Sequence, residues 1–298
     1  MALFGNYDTP GRGVLKTPHE KRPFFKFWEV YIRHAWQLMG LNLLYFLFTV
    51  PLFAMLLLIG ETGDLKWLLL IFISGIIGPA TAAMTRVARN FSQERHTFVL
   101  HDFFKAFKVN LKQGMIMGYI DTIAVISFIV GVPLYQSMAS QNSVMYVPYI
   151  ISLACMLVFF MMHFYIYQMM CSTMLNMKQI LRNALFLVSI GMRYTVYTLI
   201  SSLIVIIFSY LMLLVSPAFG ITLVMFFPFA FLTFVACFNC YPVIRKHVIQ
   251  PYYDQRGEEN PEDAAMTAAD GEALFEDKAA EEKTVPAEKK SGRKKTIK

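Results

Sequence analysis

The sequence has few charged residues and few cysteines, and each shortage excludes a class of protein. Charged side chains make up only 16% of the 298 residues, against about 25% in an ordinary soluble domain. The 4 cysteines lie inside or beside apolar segments, so they do not resemble the framework of a small secreted protein. An ordinary soluble domain and a disulfide-stabilised domain are both excluded.

The sequence also lacks the local motifs of common enzymes. It contains no G-x-x-x-x-G-K-[ST] loop, no H-E-x-x-H pair and no G-x-S-x-G turn. Cys237 and Cys240 have the C-x-x-C spacing, but they lie at the end of an apolar segment, where a helix dipole does not activate a thiol. We therefore expect no enzyme activity, no catalytic residue, no metal site and no cofactor.

Long apolar runs are what the sequence does contain. Hydrophobic residues make up 56% of the chain, and a membrane-spanning helix needs about 20 consecutive apolar residues. The runs predict an all-α fold, a polytopic transmembrane helical bundle with six spans arranged as three hairpins. The predicted spans lie near 36–60, 66–85, 114–136, 144–171, 194–215 and 220–242.

Basic residues predict the orientation of this bundle. Every Lys and Arg between Arg12 and Lys246, except Lys66, lies before span 1, after span 6, or in a segment on that same side. The positive-inside rule then places both termini in the cytoplasm and the protein in the cell (plasma) membrane. Because anionic lipid explains these charges, the pI of about 9.1 does not indicate nucleic-acid binding.

The chain divides into three regions by composition. Residues 1–23 form a polar cytoplasmic N-terminal segment, 24–250 a six-span membrane domain, and 251–298 a charged tail too poor in apolar residues to fold. Short amphipathic helices are expected before spans 1 and 3, with Asp102 as the N-cap of the second. Anchoring in the lipid interface is the favoured role of these helices, and docking of a partner helix is the alternative.

A weak internal repeat is visible at a spacing of 79 residues. Trp28, Phe107 and Phe186 are separated by this interval, and each precedes a predicted hairpin. Parallel repeats are common in membrane folds. Chance alignment within an apolar sequence is the other explanation.

Small residues mark one face of the second span. This face consists of Ser74, Gly75, Gly78, Pro79, Ala82 and Ala83. Such a face lets helices approach closely, whether within the chain or against a partner, while a kink at Pro79 would favour a substrate path at a broken helix. The hydroxyl of Thr81 is a candidate partner for the carbonyl that Pro79 leaves without a donor.

Asp121 is the one acidic residue well inside a predicted span. An ionisable residue at membrane depth is a candidate functional site, although a Lys or Arg near the headgroups could also pair with it. His163 lies in span 4 and could bond Tyr167 one turn away. Asn42, Gln168 and Asn239 are expected to form hydrogen bonds between helices.

The sequence resembles a known family over most of residues 1–250. Gly78-Pro-Ala-Thr-Ala-Ala83, followed by Asp102-Phe-Phe-Lys-Ala-Phe107, is similar to the YesL-like membrane proteins, also called domain of unknown function 624. The N-terminal run Tyr7–Val14 resembles one subgroup. The resemblance implies a Gram-positive bacterium and genes near carbohydrate importers of the ATP-binding-cassette type, and it implies no catalytic residue.

Two functions follow as expectations. The first is a non-enzymatic accessory or regulatory protein of carbohydrate uptake, which packs against sugar-importer permease subunits or its own copies within the lipid bilayer. The second is a small-solute carrier with Asp121 in a polar path. A polar cavity around Asp121 would favour the carrier, and a closed apolar bundle would favour the accessory role.

Overall fold

The protein is described by a computed structural model that covers residues 22–62 and 74–261, with the side chains of 55–62 excepted. All regular elements among these residues are helical, which confirms the all-α prediction. Residues Arg22–Glu258 form one compact unit. Residues 1–21 of the predicted N-terminal segment and 262–298 of the predicted tail lie outside the described residues.

Ten α-helices are described. In chain order they are α1 (Pro23–Thr62), α2 (Ile77–Ser92), α3 (Val99–Val109), α4 (Leu111–Gln141), α5 (Tyr146–Ser172), α6 (Met177–Ile190), α7 (Met192–Val215), α8 (Pro217–Phe226), α9 (Pro228–Ile244) and α10 (Gln250–Asp254). A 3₁₀ turn at Ser143–Met145 precedes α5, and a π-helical turn at Arg245–Ile249 joins α9 to α10.

Within the described residues, five helical stretches are long and apolar enough to cross a bilayer. They are Pro23–Ala54, Leu111–Gln141, Ser143–Ser172, Met192–Val215 and Pro228–Asp254. The predicted second span, 66–85, begins outside the described residues, so the total of six spans stays a prediction. The last stretch runs past the predicted domain boundary at residue 250.

Helix α1 differs from the prediction of a short interfacial helix followed by a separate span. It is one continuous helix of 40 residues, about 60 Å long at a rise of 1.5 Å per residue. Because the hydrocarbon core is only about 30 Å thick, part of α1 must extend beyond it. Nothing between Phe24 and Trp36 breaks the helix, since neither Gly nor Pro occurs there.

The predicted amphipathic helix before span 3 is present as α3. It begins at Val99, three residues before Asp102, so the predicted N-cap is wrong. The carboxylate of Asp102 instead accepts a hydrogen bond from the backbone N–H of Phe98, at 3.0 Å. A second amphipathic helix, α6, precedes α7 and was not predicted. It begins with a capping box between Asn176 and Gln179.

The predicted sixth span is wrong as a single helix, because the chain breaks at Phe227. Pro228 lacks an N–H and disfavours helical geometry at the residue before it, and Phe227 has φ −125° and ψ −59°. The carboxamide of Asn42 bonds both sides of the break. Its nitrogen donates to the carbonyls of Val224 and Met225, and its oxygen accepts from the N–H of Ala230 at 2.8 Å.

Helices α2, α5 and α9 pack against one another at the centre, and three further helices lie across the seams between them. Helix α1 packs against α2 and α9, α4 against α5 and α2, and α7 against α9 and α5. Each of the outer helices, α1, α4 and α7, thus contacts the next and the previous inner helix along the chain. For α1 the previous inner helix is α9, so the arrangement closes into a ring. This arrangement supports the 79-residue repeat.

Burial is concentrated at one end of the bundle. We call the end that carries α3, α6 and the second half of α5 the basic half, since its exposed positions include Lys105, Lys108 and Lys178. The opposite end, formed by 123–138 of α4, 146–158 of α5, 203–215 of α7 and α8, is the apolar half. Most large apolar side chains in the apolar half are exposed at the bundle surface, whereas those of 161–170 are mostly buried.

Candidate functional site

The small-residue face of the second span packs inside the chain, against α4. A Cβ placed on Gly78 would lie 1.9 Å from the carbonyl oxygen of Gly114, and one placed on Gly118 would lie 2.8 Å from the carbonyl oxygen of Gly75. The backbones therefore touch, which only glycine permits at these positions. We call the contact between Gly75, Gly78, Gly114 and Gly118 the glycine seam.

The rest of that face is also internal. Ser74, Pro79, Ala82 and Ala83 are buried, and the hydroxyl of Ser74 bonds Thr122 of α4 at 2.9 Å. The side chains of Ala82 and Ala83 enter two different apolar clusters of the core. These residues therefore hold the chain's own helices together and do not lie on the outer surface.

The helix interruption expected at Pro79 lies elsewhere. The chain turns at Gly75 and Ile76, and α2 begins at Ile77, which places Pro79 in its first turn. A proline there loses no helical hydrogen bond. The hydroxyl of Thr81 donates to the carbonyl of Ile77 at 2.8 Å and bonds the hydroxyl of Tyr45, so the predicted role of Thr81 is wrong.

Asp121 and His163 come together between α4 and α5. The Nε2 atom of His163 lies 2.9 Å from Oδ1 of Asp121. The hydroxyl of Tyr167 donates to Oδ2 of the same carboxylate at 2.5 Å. Tyr167 thus bonds Asp121 and not His163, which corrects the sequence-based pairing, and the partner of Asp121 is a histidine instead of a Lys or Arg.

The second ring nitrogen of His163 is also engaged. Its Nδ1 lies 3.0 Å from the carbonyl oxygen of Phe159, one turn earlier on α5. The ring also contacts that of Phe159, with centroids 4.7 Å apart. The imidazole is therefore fixed at both nitrogens, and the side chains of Asp121 and His163 retain 22% and 26% of their exposure.

A groove of about 630 Å³ opens between α4 and α5 beside this pair. His163 is its only polar lining residue among those described. The remaining lining is apolar: Val125, Phe128, Ile129, Val132, Pro133, Met156, Phe159 and Phe160. The groove runs into the apolar half and places an ionisable pair at the end of an otherwise apolar surface.

A buried arginine lies where the three central helices meet. Arg89 of α2 donates through a terminal guanidinium nitrogen to the hydroxyl of Ser172 on α5 at 2.6 Å, and its guanidinium lies 5.2 Å from the ring centroid of Tyr241 on α9. Arg89 and Ser172 lie in the last turn or at the end of their helices. The carbonyl ends of helices favour a cation, so they compensate the charge of Arg89.

The remaining polar residues and cysteines singled out in the sequence are engaged or buried within the chain. Asn239 donates to Thr198 of α7 at 3.1 Å, which confirms its predicted hydrogen bond between helices. The bonds of Asn42 at the helix break confirm the same prediction for that residue. Gln168 bonds the carbonyl of Phe164 on its own helix, so the prediction for Gln168 is wrong. Cys237 and Cys240 are buried free thiols, and the described residues contain no group of His, Cys, Asp and Glu arranged for a metal ion.

Sequence reasoning missed two members of these sites, Gly114 and Gly118, and paired a third, Tyr167, with the wrong residue. Gly114 and Gly118 form a G-x-x-x-G pattern on α4, a signal that could have identified the partner of the 74–83 face. Tyr167 was assigned to His163 because it lies one turn away. Asp121 is distant in sequence from both His163 and Tyr167, so only the fold brings it into contact with them.

Comparison with curated proteins and with solved structures finds no match. A family comparison does find one. Residues 38–132, a segment that contains most of α1, the glycine seam and Asp121 but not His163, match the family described as Protein of unknown function, DUF624.

Proposed function

We propose that the protein is a non-enzymatic accessory or regulatory membrane protein that acts together with carbohydrate importers. The proposal rests first on the match to DUF624 over residues 38–132. The motifs at 78–83 and 102–107 resemble the YesL-like proteins, whose genes in Gram-positive bacteria lie near such importers. The basic half faces the cytoplasm of the plasma membrane in this proposal, since Lys and Arg accumulate on that side.

The observation that carries the proposal is the character of the space beside Asp121. A carrier of a polar solute needs several polar groups that converge on its path. The groove there has a single polar lining residue, His163, among those described. Both oxygens of Asp121 are already engaged in hydrogen bonds, Oδ1 with His163 and Oδ2 with Tyr167, so the carboxylate is occupied by contacts within the chain.

The partner would contact the apolar half and not the 74–83 face. That face is buried against α4, whereas Ile129 of α4, Ile150 of α5 and Ile204 of α7 are each about 60% exposed at the surface. A membrane helix of a permease subunit would replace lipid at such positions. The groove of about 630 Å³ between α4 and α5 opens on this surface.

The test is purification of the tagged protein from its host in a mild detergent, with mass spectrometry of the proteins that remain bound. We expect permease subunits of a sugar importer in nearly equal amounts. Ile129→Trp, which would fill the groove, should reduce their recovery, while Ile190→Trp on α6, a similarly exposed isoleucine of the basic half, serves as a matched control. Recovery of the protein alone, or with its own copies only, would contradict the proposal.

A small-solute carrier remains the second candidate, because ionisable residues at membrane depth are rare and costly and often mark a substrate path. Purified protein in proteoliposomes should then take up a sugar, and Asp121→Asn should abolish uptake while the protein still inserts. The accessory proposal predicts no uptake by either form.

A further inference from the structure

The hydrogen bonds of His163 determine where its protons lie. The carbonyl oxygen of Phe159 can only accept, so Nδ1 of His163, 3.0 Å away, must carry a hydrogen. A neutral imidazole has one N–H. If His163 were neutral, its Nε2 would therefore be an acceptor.

The contact between His163 and Asp121 then requires one more proton. Nε2 and Oδ1 of Asp121 are 2.9 Å apart, and an unprotonated nitrogen facing an ionised carboxylate would place two acceptors in contact. A proton on either atom turns the contact into a hydrogen bond. We propose that Asp121 and His163 form a proton-binding site, in which one exchangeable proton between Oδ1 and Nε2 joins α4 to α5.

Charge balance supports this assignment. With the shared proton, the pair is neutral overall, whether the proton is on the imidazole or on the carboxyl group. Without the proton, the pair carries one negative charge at membrane depth, where an uncompensated charge is costly. The fold therefore favours the protonated pair.

The surroundings contain no described cation that would replace the proton. Tyr167 of α5 donates to Oδ2 of Asp121, and Tyr45 of α1 interacts electrostatically with Asp121. Tyr45 itself bonds Thr81 of α2. The two cations of α2, Arg86 and Arg89, interact with Cys171, one turn beyond Tyr167.

The position of the pair gives the proton a structural consequence. Asp121 is on α4 and His163 is on α5, the two helices that line the groove. Removal of the proton replaces an attraction between the helices by repulsion, and we expect the groove to widen. This inference does not depend on the accessory role, because it concerns only contacts within the chain.

Asp121→Asn removes the exchangeable proton of the pair but keeps its hydrogen bonds. The new amide nitrogen can donate to Nε2 of neutral His163, and the amide oxygen can accept from Tyr167, so all contacts persist without a titrating proton. The wild-type protein in lipid nanodiscs should lose about 5 °C of its unfolding temperature between about pH 6 and about pH 9, relative to Asp121→Asn. Asp254→Asn, which changes an exposed carboxylate, should behave like the wild type.

The groove can be measured directly with two spin labels. Cys155 is exposed on α5, next to the groove residue Met156, and Val130→Cys adds a label on α4. The distance between the labels should increase with pH in the wild-type background and stay constant with Asp121→Asn. Equal pH dependence in the two backgrounds, or none in the wild type, overturns the proposal. His163→Gln should also remove the pH dependence.

Discussion

The basic half and the apolar half share the long apolar helix α5, yet its two ends differ in packing. In the basic half, Tyr165, Ile166 and Met169 of α5 are completely buried. In the apolar half of the same helix, Val147, Ile150 and Ile151 are each more than half exposed. Hydrophobicity does not separate the two, because lipid solvates an isoleucine as well as a protein core does.

Close backbone approach and hydrogen bonding between helices occur together where α2 meets α4. The glycine seam and the hydroxyl pair of Ser74 and Thr122 lie at the boundary of the basic half, where α2 meets α4. The polar residues in the apolar half mostly bond their own helix, as Ser209 does with the carbonyl of Val205. Small and polar residues thus bring α2 and α4 into close contact.

The largest expected effect comes from closing the glycine seam. Gly78→Ala would place a methyl group against the carbonyl of Gly114, so α2 and α4 must separate, at a cost of about 3 kcal/mol or more. Gly131→Ala on the same α4 is the matched control, since its Cβ would meet only Tyr135 at 4.0 Å and alanine favours a helix. Thermal unfolding in nanodiscs compares them. Equal stability of the two variants would contradict the distinction between the halves.

The next largest effect should follow Asn42→Leu. This change removes the hydrogen bonds to Val224, Met225 and Ala230 and leaves backbone groups of the helix break without partners. A loss of about 2 to 3 kcal/mol is expected in the free energy of unfolding. Thr222→Val on α8 is the control, because that hydroxyl bonds only its own helix. A loss of less than about 0.5 kcal/mol for Asn42→Leu would show that the break needs no side-chain support.

A smaller effect is expected for Tyr167→Phe. The variant loses one hydrogen bond to the carboxylate of Asp121, which is worth about 1.5 kcal/mol. Tyr210→Phe in the apolar half removes an exposed hydroxyl and should leave chemical unfolding unchanged. If the two substitutions lower the free energy of unfolding equally, the hydrogen bond from Tyr167 to Asp121 does not stabilise the fold.

The smallest effect concerns a single methylene group. Ile180→Val on α6 removes a group from a completely buried side chain and should cost about 1 kcal/mol. Ile207→Val on α7, where the side chain is 55% exposed, should cost almost nothing because lipid fills the space. Urea or detergent titration of both variants measures the difference, and a reversed order would contradict the burial pattern.

The helical class and the positions of most spans could be predicted from sequence because each span is a local property of about 20 residues. The break at Phe227 could have been anticipated from Pro228, but the apolar residues on both sides outweighed it. The continuity of α1 could not be seen, since a change from polar to apolar composition marks the membrane surface and not a helix end. Composition therefore reports the solvent around a helix better than its bounds.

The candidate site was predicted only in part for a similar reason. Asp121 and His163 were each identified because ionisable residues are rare in spans, but their pairing across 42 positions of sequence depends on how α4 and α5 pack. The 74–83 face was recognised as a packing surface from its small residues. Its partner on α4 carries a G-x-x-x-G pattern at Gly114 and Gly118, but which small-residue faces meet depends on how the helices pack.

The cyclic packing of α1, α4 and α7 around the three central helices has a consequence for how such a protein could diversify. Asn42 and Asp121 are separated by the same 79 residues that relate Trp28 to Phe107, so the repeat places them at equivalent positions on α1 and α4. One of them supports a broken helix and the other forms a proton site. The third equivalent position is Ile200 on α7, exposed and apolar. The cyclic packing thus offers one location three times, and each of the three positions can change its chemistry independently, while the third carries no polar group.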